Sequence, residues 1–97
     1  MLLKQEALAG TLESSDLFIR ITPSDDPLEI VIESEVLHQF GKQIRATVEE
    51  VLDHLGVTTG TLIIQDKGAL DCTIRARVQA AVMRAAGETT LDWEALK

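Results

Sequence analysis

Leu28-Glu29-Ile30-Val31-Ile32-Glu33-Ser34 opens the part of the chain that decides its fold. Leu28, Ile30 and Ile32 fall on one face of an extended segment, and Glu29, Val31 and Glu33 on the other. That period of two is the mark of a β-strand with one buried side. The period then changes. Leu37, Phe40, Ile44, Val48, Val51, Leu52 and Leu55 recur at helical spacing, while Gln39, Lys42, Gln43, Glu49, Glu50 and Asp53 take the opposite face. Ser34 is the expected N-cap, Glu35 complements the helix dipole in the first turn, and Gly56 is the expected stop. Thr58 to Gln65 returns to a short β-branched run and reads as another strand. Strand, helix and strand between 28 and 65 predict a parallel pair joined by a right-handed crossover.

Toward the N-terminus, residues 5–12 and 17–22 read as a β-hairpin. Leu17, Ile19 and Ile21 alternate with Phe18, Arg20 and Thr22, and the first arm alternates as far as Glu13. Ser14, Ser15 and Asp16 form the turn between the arms, because short Ser and Asp side chains hydrogen-bond the local backbone. Pro23-Ser24-Asp25-Asp26-Pro27 reads as a loop, since two prolines and two aspartates do not continue a central strand. Toward the C-terminus, Asp66-Lys67-Gly68 reads as a turn into a second helix. Leu70, Ile74, Val78, Ala81, Val82 and Ala85 are its expected buried face, with Gly87 at its end. Ala76, Ala80, Ala81, Ala85 and Ala86 suit close packing on a sheet. Residues 88–97, with Trp93, are expected to form a loosely ordered tail.

The order is β-β-β-α-β-α, and the fold class expected is α+β: a two-layer sandwich with a four-stranded mixed sheet and both helices on one face. This is not the four-helix bundle of the common acyl and peptidyl carriers. A chain of 97 residues has no room for a second core, so 1–97 is read as one domain.

Composition narrows the partners. Nine basic residues against 16 acidic ones give a net charge of -7. That argues against nucleic acid and anionic membrane surfaces, and favours partners with basic docking patches. An apolar share of 45% supports a core, but Phe18, Phe40 and Trp93 are the only aromatics, so aliphatic residues do the packing. Cys72 is the only cysteine, which excludes an internal disulfide and a Cys-rich metal site. Met1-Leu2-Leu3-Lys4 lacks the pattern of a signal peptide, and no apolar run approaches the roughly 20 residues of a membrane span. The expectation is a soluble, cytoplasmic protein.

Three constellations could carry chemistry. Ser14 and Ser15 are either turn residues that bond their own backbone or an exposed hydroxyl that another protein modifies. No histidine lies nearby in sequence to act as a base, which argues against catalysis by either serine. Asp66-Lys67-Gly68-Ala69-Leu70-Asp71-Cys72 reads as a strand-to-helix turn, with Asp66 or Asp71 stabilising the helix start. A phosphate cradle or a reactive Cys72 thiol is the alternative. One glycine makes a poor cradle, and two aspartates oppose both phosphate and thiolate. His38 and His54 are too far apart on the first helix to share a ligand, and Asp25-Asp26 reads as solvated. No acid–base pair, triad or metal cluster emerges. Trp93 is read either as a cap on the core or as a partner contact.

Three blocks together resemble a known family. Ala9-Gly10-Thr11-Leu12-Glu13-Ser14-Ser15-Asp16, Gln39-Phe40-Gly41-Lys42-Gln43-Ile44-Arg45, and Asp66 to Arg77 (Asp-Lys-Gly-Ala-Leu-Asp-Cys-Thr-Ile-Arg-Ala-Arg) are similar to the citrate lyase acyl carrier protein, the gamma subunit of bacterial citrate lyase. The resemblance runs nearly the whole chain and is weakest in the last ten residues and in the 23–27 loop. It implies a phosphoribosyl-dephospho-coenzyme A arm, joined by a phosphodiester to the serine after Leu-Glu, here Ser14. Ser15 stands where that family tends to have a small residue such as Gly. The resemblance further implies a non-catalytic carrier whose partners are a transferase (alpha) subunit, a lyase (beta) subunit and a prosthetic-group transferase. The alpha subunit exchanges acetyl for citryl on the thiol of the arm and releases acetate. The beta subunit cleaves the citryl thioester to oxaloacetate, a step in which a divalent metal suits the enolate charge. Tethering would give the thioester a high effective concentration at both sites. The reading that competes with this one is an unmodified small α+β regulatory or ligand-binding module.

Overall fold

In a computed structural model of the chain, residues 2–34 and 37–87 are described, with the backbone alone at 37–40. The elements are β1 (Ala7–Gly10), β2 (Leu17–Pro27), β3 (Glu29–Ser34), α1 (Leu37–His54), β4 (Thr59–Asp66) and α2 (Asp71–Ala85). The sheet order is β1-β2-β4-β3. β2 is antiparallel to β1 and β4, and β3 runs parallel to β4, as the strand–helix–strand pattern requires. The α+β architecture and element order match the sequence expectation.

The sheet's inner face is aliphatic through its central rows and ends in a polar one, where Asp66 pairs with Leu17 and Ser34. Ala7 pairs with Ile21 and Ile21 with Leu62, while Ala9 pairs with Ile19 and Ile19 with Ile64. Ile19, Ile21, Leu62 and Ile64 are fully buried. Ile44, Val48, Val51, Leu52 and Leu55 of α1 and Ile74, Val78, Ala81, Val82 and Ala85 of α2 close over them in one cluster. Each large aliphatic side chain so buried contributes about 1.5–3 kcal/mol. Helix α2 lies over β1 and β2, where its buried alanines allow close approach, and α1 lies over β3. Ala76 is the exception and faces solvent. Gly56 and Gly87 have positive φ and follow α1 and α2, as expected of helix stops.

Several boundaries differ from the sequence reading. Residues 23–27 are not a separate loop but the extended continuation of β2. Thr22 pairs with Thr61 and Pro27 with Thr59, so the segment between bulges out of register. A bulge leaves the proline nitrogens no ladder bond to supply, which is how two prolines fit one strand. β1 spans only 7–10, because Thr11 leaves the ladder to bond within the turn. Leu70 is not on the buried face of α2. It precedes the helix, is 69% exposed, and stands at a half-open groove of about 400 Å³ between the starts of the two helices. Ser34 ends β3 and donates its hydroxyl to Asp66 Oδ2 at 2.8 Å. Glu35, expected in the first turn of the helix, the side chains of Leu37, His38, Gln39 and Phe40, and the Trp93 tail lie outside the described residues.

Candidate functional site

The hairpin between β1 and β2 is built around Gly10 and Asp16. Gly10 has φ +85, and a Cβ there would overlap the carbonyl oxygen of Leu17 and sit 3.3 Å from Arg77 Cδ. Only glycine lets β1 end this close to the start of β2. The next residues close on themselves. Thr11 Oγ1 accepts from the Glu13 amide at 3.2 Å and donates to Asp16 Oδ2 at 2.6 Å. The Asp16 amide donates to the Glu13 carbonyl at 3.2 Å. Ser14 and Ser15 are thereby the two central residues of a β-turn, both exposed.

Ser15 has φ +65 and is the one non-glycine with positive φ among the described residues. A turn with a left-handed residue in its third position favours glycine there, because an L side chain crowds the backbone. This accounts for the small residue expected at that position in the family. Ser15→Gly should therefore raise stability by about 1 kcal/mol, read as a higher thermal midpoint, and an unchanged or lower midpoint would contradict the assignment of the turn.

The turn is pinned from below by the β4–α2 connection. The Ser15 amide donates to the Lys67 carbonyl at 2.8 Å, and the Lys67 amide donates to the Asp16 carbonyl at 2.9 Å. That connection is itself fixed by Asp66, 2% exposed, whose Oδ1 accepts from the Ala69 amide at 2.9 Å and whose Oδ2 takes the Ser34 hydroxyl. So Asp66 does stabilise the approach to α2, as its position in sequence suggests. Asp71 instead accepts from Thr47 Oγ1 at 2.8 Å and pairs with Arg75 Nε at 2.8 Å.

Arg77 reaches the turn from α2. Its Nε donates to Asp16 Oδ1 at 2.9 Å and its Nη2 to Asp16 Oδ2 at 3.1 Å, a two-point grip on a carboxylate whose side chain is 13% exposed. The Arg77 bonds, then those from Thr11 and the Leu17 amide, hold the Asp16 carboxyl well below the usual carboxylate range. Such a depressed group stabilises the fold above the ordinary Asp value near 4 and loses that contribution only as pH falls far into acid.

The other sequence candidates disperse. Cys72 is exposed in the first turn of α2. Arg75 bridges Asp71 and Glu50 and holds both carboxyls below their usual range, tying α1 to α2. Asp25 and Asp26 are exposed, and the Asp26 amide donates to Ser24 Oγ. Neither histidine belongs to the elements around Ser14. No group of three metal-ligating side chains occurs among the described residues, and none of the helices described is long and apolar enough to cross a membrane.

What the sequence reading missed is the grip of Arg77 on Asp16, across 61 positions. A signal was present. Arg77 and Arg84 stand two helical turns apart on the alanine-bearing side of α2, and Arg84 Nη1 donates to the Leu8 carbonyl of β1 at 2.6 Å. Seven residues apart, both fall on one side of a helix, but spacing does not say which partner each meets.

The ACP family model, described as malonate decarboxylase delta subunit (MdcD), matches residues 4–85. The chain is 60% identical over 93 residues, 96% of each chain, to the citrate lyase acyl carrier protein of Enterobacter sp. (strain 638). It is 57% identical over 97 residues, the full length of both, to that of Cronobacter sakazakii (strain ATCC BAA-894). A chain of the crystal structure of a Pseudomonas malonate decarboxylase hetero-tetramer in complex with malonate shares the fold, with a TM-score of 0.69 and 21% identity over 88% of this chain and 92% of that one.

Proposed function

This chain belongs to the citrate lyase acyl carrier protein family, and on that premise we propose that it is the acyl carrier subunit of a citrate lyase, bearing its arm on Ser14. The observation that carries the reading is the state of Ser14: an exposed hydroxyl at the tip of a turn whose backbone is tied down on both sides. A residue used as a nucleophile needs a base held against it, and neither histidine belongs to the elements around this turn. A residue used as an anchor needs access and a firm foundation, and both are present.

The surroundings fit a phosphodiester-linked group. The nearest aspartate, Asp16, would repel a phosphate if its charge were free, but Arg77 neutralises it from the protein side. Glu13 is exposed and can turn away into water. The arm, phosphoribosyl-dephospho-coenzyme A, supplies when bound a terminal thiol on which acetyl and citryl groups are held as thioesters. Ser14 would then act as a phosphoester anchor, and the sandwich behind it as a rigid body delivered to the alpha and beta subunits and, earlier, to the prosthetic-group transferase. The net charge of -7 suits docking on basic surfaces of those larger proteins in the cytoplasm. The chain contributes proximity, and the division between cofactor chemistry and protein positioning is a common one.

A second reading, a carrier for malonate decarboxylase, is favoured by the family model's description and by the structural likeness. The high identity to citrate lyase carriers favours citrate. Reconstitution separates the two. The modified chain, with the thiol of its arm acetylated and mixed with alpha and beta subunits of citrate lyase, should restore citrate-dependent oxaloacetate formation, and the unmodified chain should not. No activity with those subunits, together with restored malonate decarboxylation when the modified chain is mixed with the partner subunits of malonate decarboxylase, would overturn the citrate assignment.

A further inference from the structure

Hairpin tips in small domains are ordinarily mobile, because few contacts hold them. The tip bearing Ser14 is different. Two residues away, every polar atom of Asp16 is engaged. Its amide donates to Glu13 and its carbonyl accepts from Lys67. Oδ1 takes the Leu17 amide and Arg77 Nε, and Oδ2 takes Thr11 Oγ1 and Arg77 Nη2. The arginine stem passes so close to Gly10 that a Cβ there would crowd it. Gly10 thus has a second purpose: it leaves the slot through which Arg77 reaches the turn.

We propose that Arg77, acting through Asp16, is a positioning residue for modification: the Arg77–Asp16 clamp holds the Ser14 turn in the geometry the prosthetic-group transferase uses. This inference rests on the assignment of Ser14 as the attachment site. Attachment forms the Ser14 Oγ–P bond and breaks the phosphoanhydride bond of a donor in which the phosphoribosyl phosphate of the arm carries further phosphates. Those outer phosphates leave as inorganic pyrophosphate with the electron pair of the broken bond, and the Oγ proton passes to the transferase. Arg77 touches none of the reacting atoms. Its part is to remove the cost of ordering the turn when the transferase docks, a contribution that appears in rate because the hydroxyl must sit in line with the breaking bond. Lysine would keep the charge but not the two-point grip.

The test compares wild type, Arg77→Gln and Arg77→Lys as apo full-length chains. Attachment is followed by intact mass over time with purified transferase and the activated donor, and amide hydrogen exchange is measured on the same samples. Arg77→Gln should speed exchange of the Ser15 and Lys67 amides at least about tenfold and leave the buried Ile19 and Ile64 amides within about twofold. Its kcat/KM for attachment should fall by at least about tenfold, with Arg77→Lys between it and wild type. Attachment to Arg77→Gln at the wild-type rate, with the turn amides loosened, would overturn the inference. So would loss of attachment only in parallel with loss of core protection, since that is general destabilisation. Failure of wild type to gain mass at Ser14 would instead overturn the attachment assignment itself, and the clamp's role with it.

Discussion

Gly10→Ala is expected to lose at least about 3 kcal/mol of stability, a large part of the 5–15 kcal/mol available to a domain of this size. Two effects add. The backbone at Gly10 has φ +85, which costs an L residue about 1 kcal/mol. The new Cβ would also overlap the Leu17 carbonyl and crowd Arg77 Cδ at 3.3 Å. The carbonyl is backbone and cannot rotate away, so β1 must separate from β2. That exposes Ala7, Ala9 and the β1 edge of the fully buried Ile19 and Ile21. Urea unfolding followed by far-ultraviolet circular dichroism measures the loss directly. A midpoint close to that of wild type would show that β1 ends with more room than the structure gives it.

The second large effect is expected at Asp66. Its carboxyl is buried at the point where β2, β3 and β4 come together, paired in register with both Leu17 and Ser34. Asp66→Ala removes the acceptor from the Ser34 hydroxyl and from the Ala69 amide and leaves a void. A buried donor deprived of its acceptor costs about 1–3 kcal/mol, so a total of about 2–4 kcal/mol is expected. Asp66→Asn keeps an oxygen for the Ala69 amide, and a hydroxyl can turn to accept from the new NH₂, so it should cost less than half as much. Because the same connection carries Lys67, Asp66→Ala should also speed exchange of the Ser15 amide. Equal costs for the alanine and asparagine variants would mean that volume, not hydrogen bonding, sets the effect.

Much of the fold was legible in particular residues. Period-two alternation at Leu17, Ile19 and Ile21, and helical spacing from Ile44 to Leu55, identify the elements because burial on one face imposes those periods. The parallel pairing of β3 with β4 followed from the intervening helix. Residues 23–27 were misread because proline and aspartate mark the end of a regular ladder, and a bulged strand breaks the ladder without leaving the sheet. Leu70 was misread because apolar spacing does not say where a helix begins, and it falls just outside α2.

The site divides along the same line. An exposed turn serine could be read locally, since turns are made of neighbours in sequence. The braces could not. Arg77 to Asp16 and Lys67 to Ser15 join segments far apart in the chain, and charge alone does not tell which aspartate an arginine will meet. Spacing by itself left Ser14 between an inert turn residue and an anchor. Family membership and the tied-down turn around a free-standing hydroxyl now favour the anchor.

The central claim is that Ser14 carries the arm, and intact-mass spectrometry of protein co-expressed with the prosthetic-group transferase and the donor-forming machinery tests it most directly. Wild type and Ser15→Ala should each gain the mass of one phosphoribosyl-dephospho-coenzyme A, and Ser14→Ala should gain none. An addition that survives in Ser14→Ala, or a wild-type chain that gains no mass in the modifying host, would contradict the account.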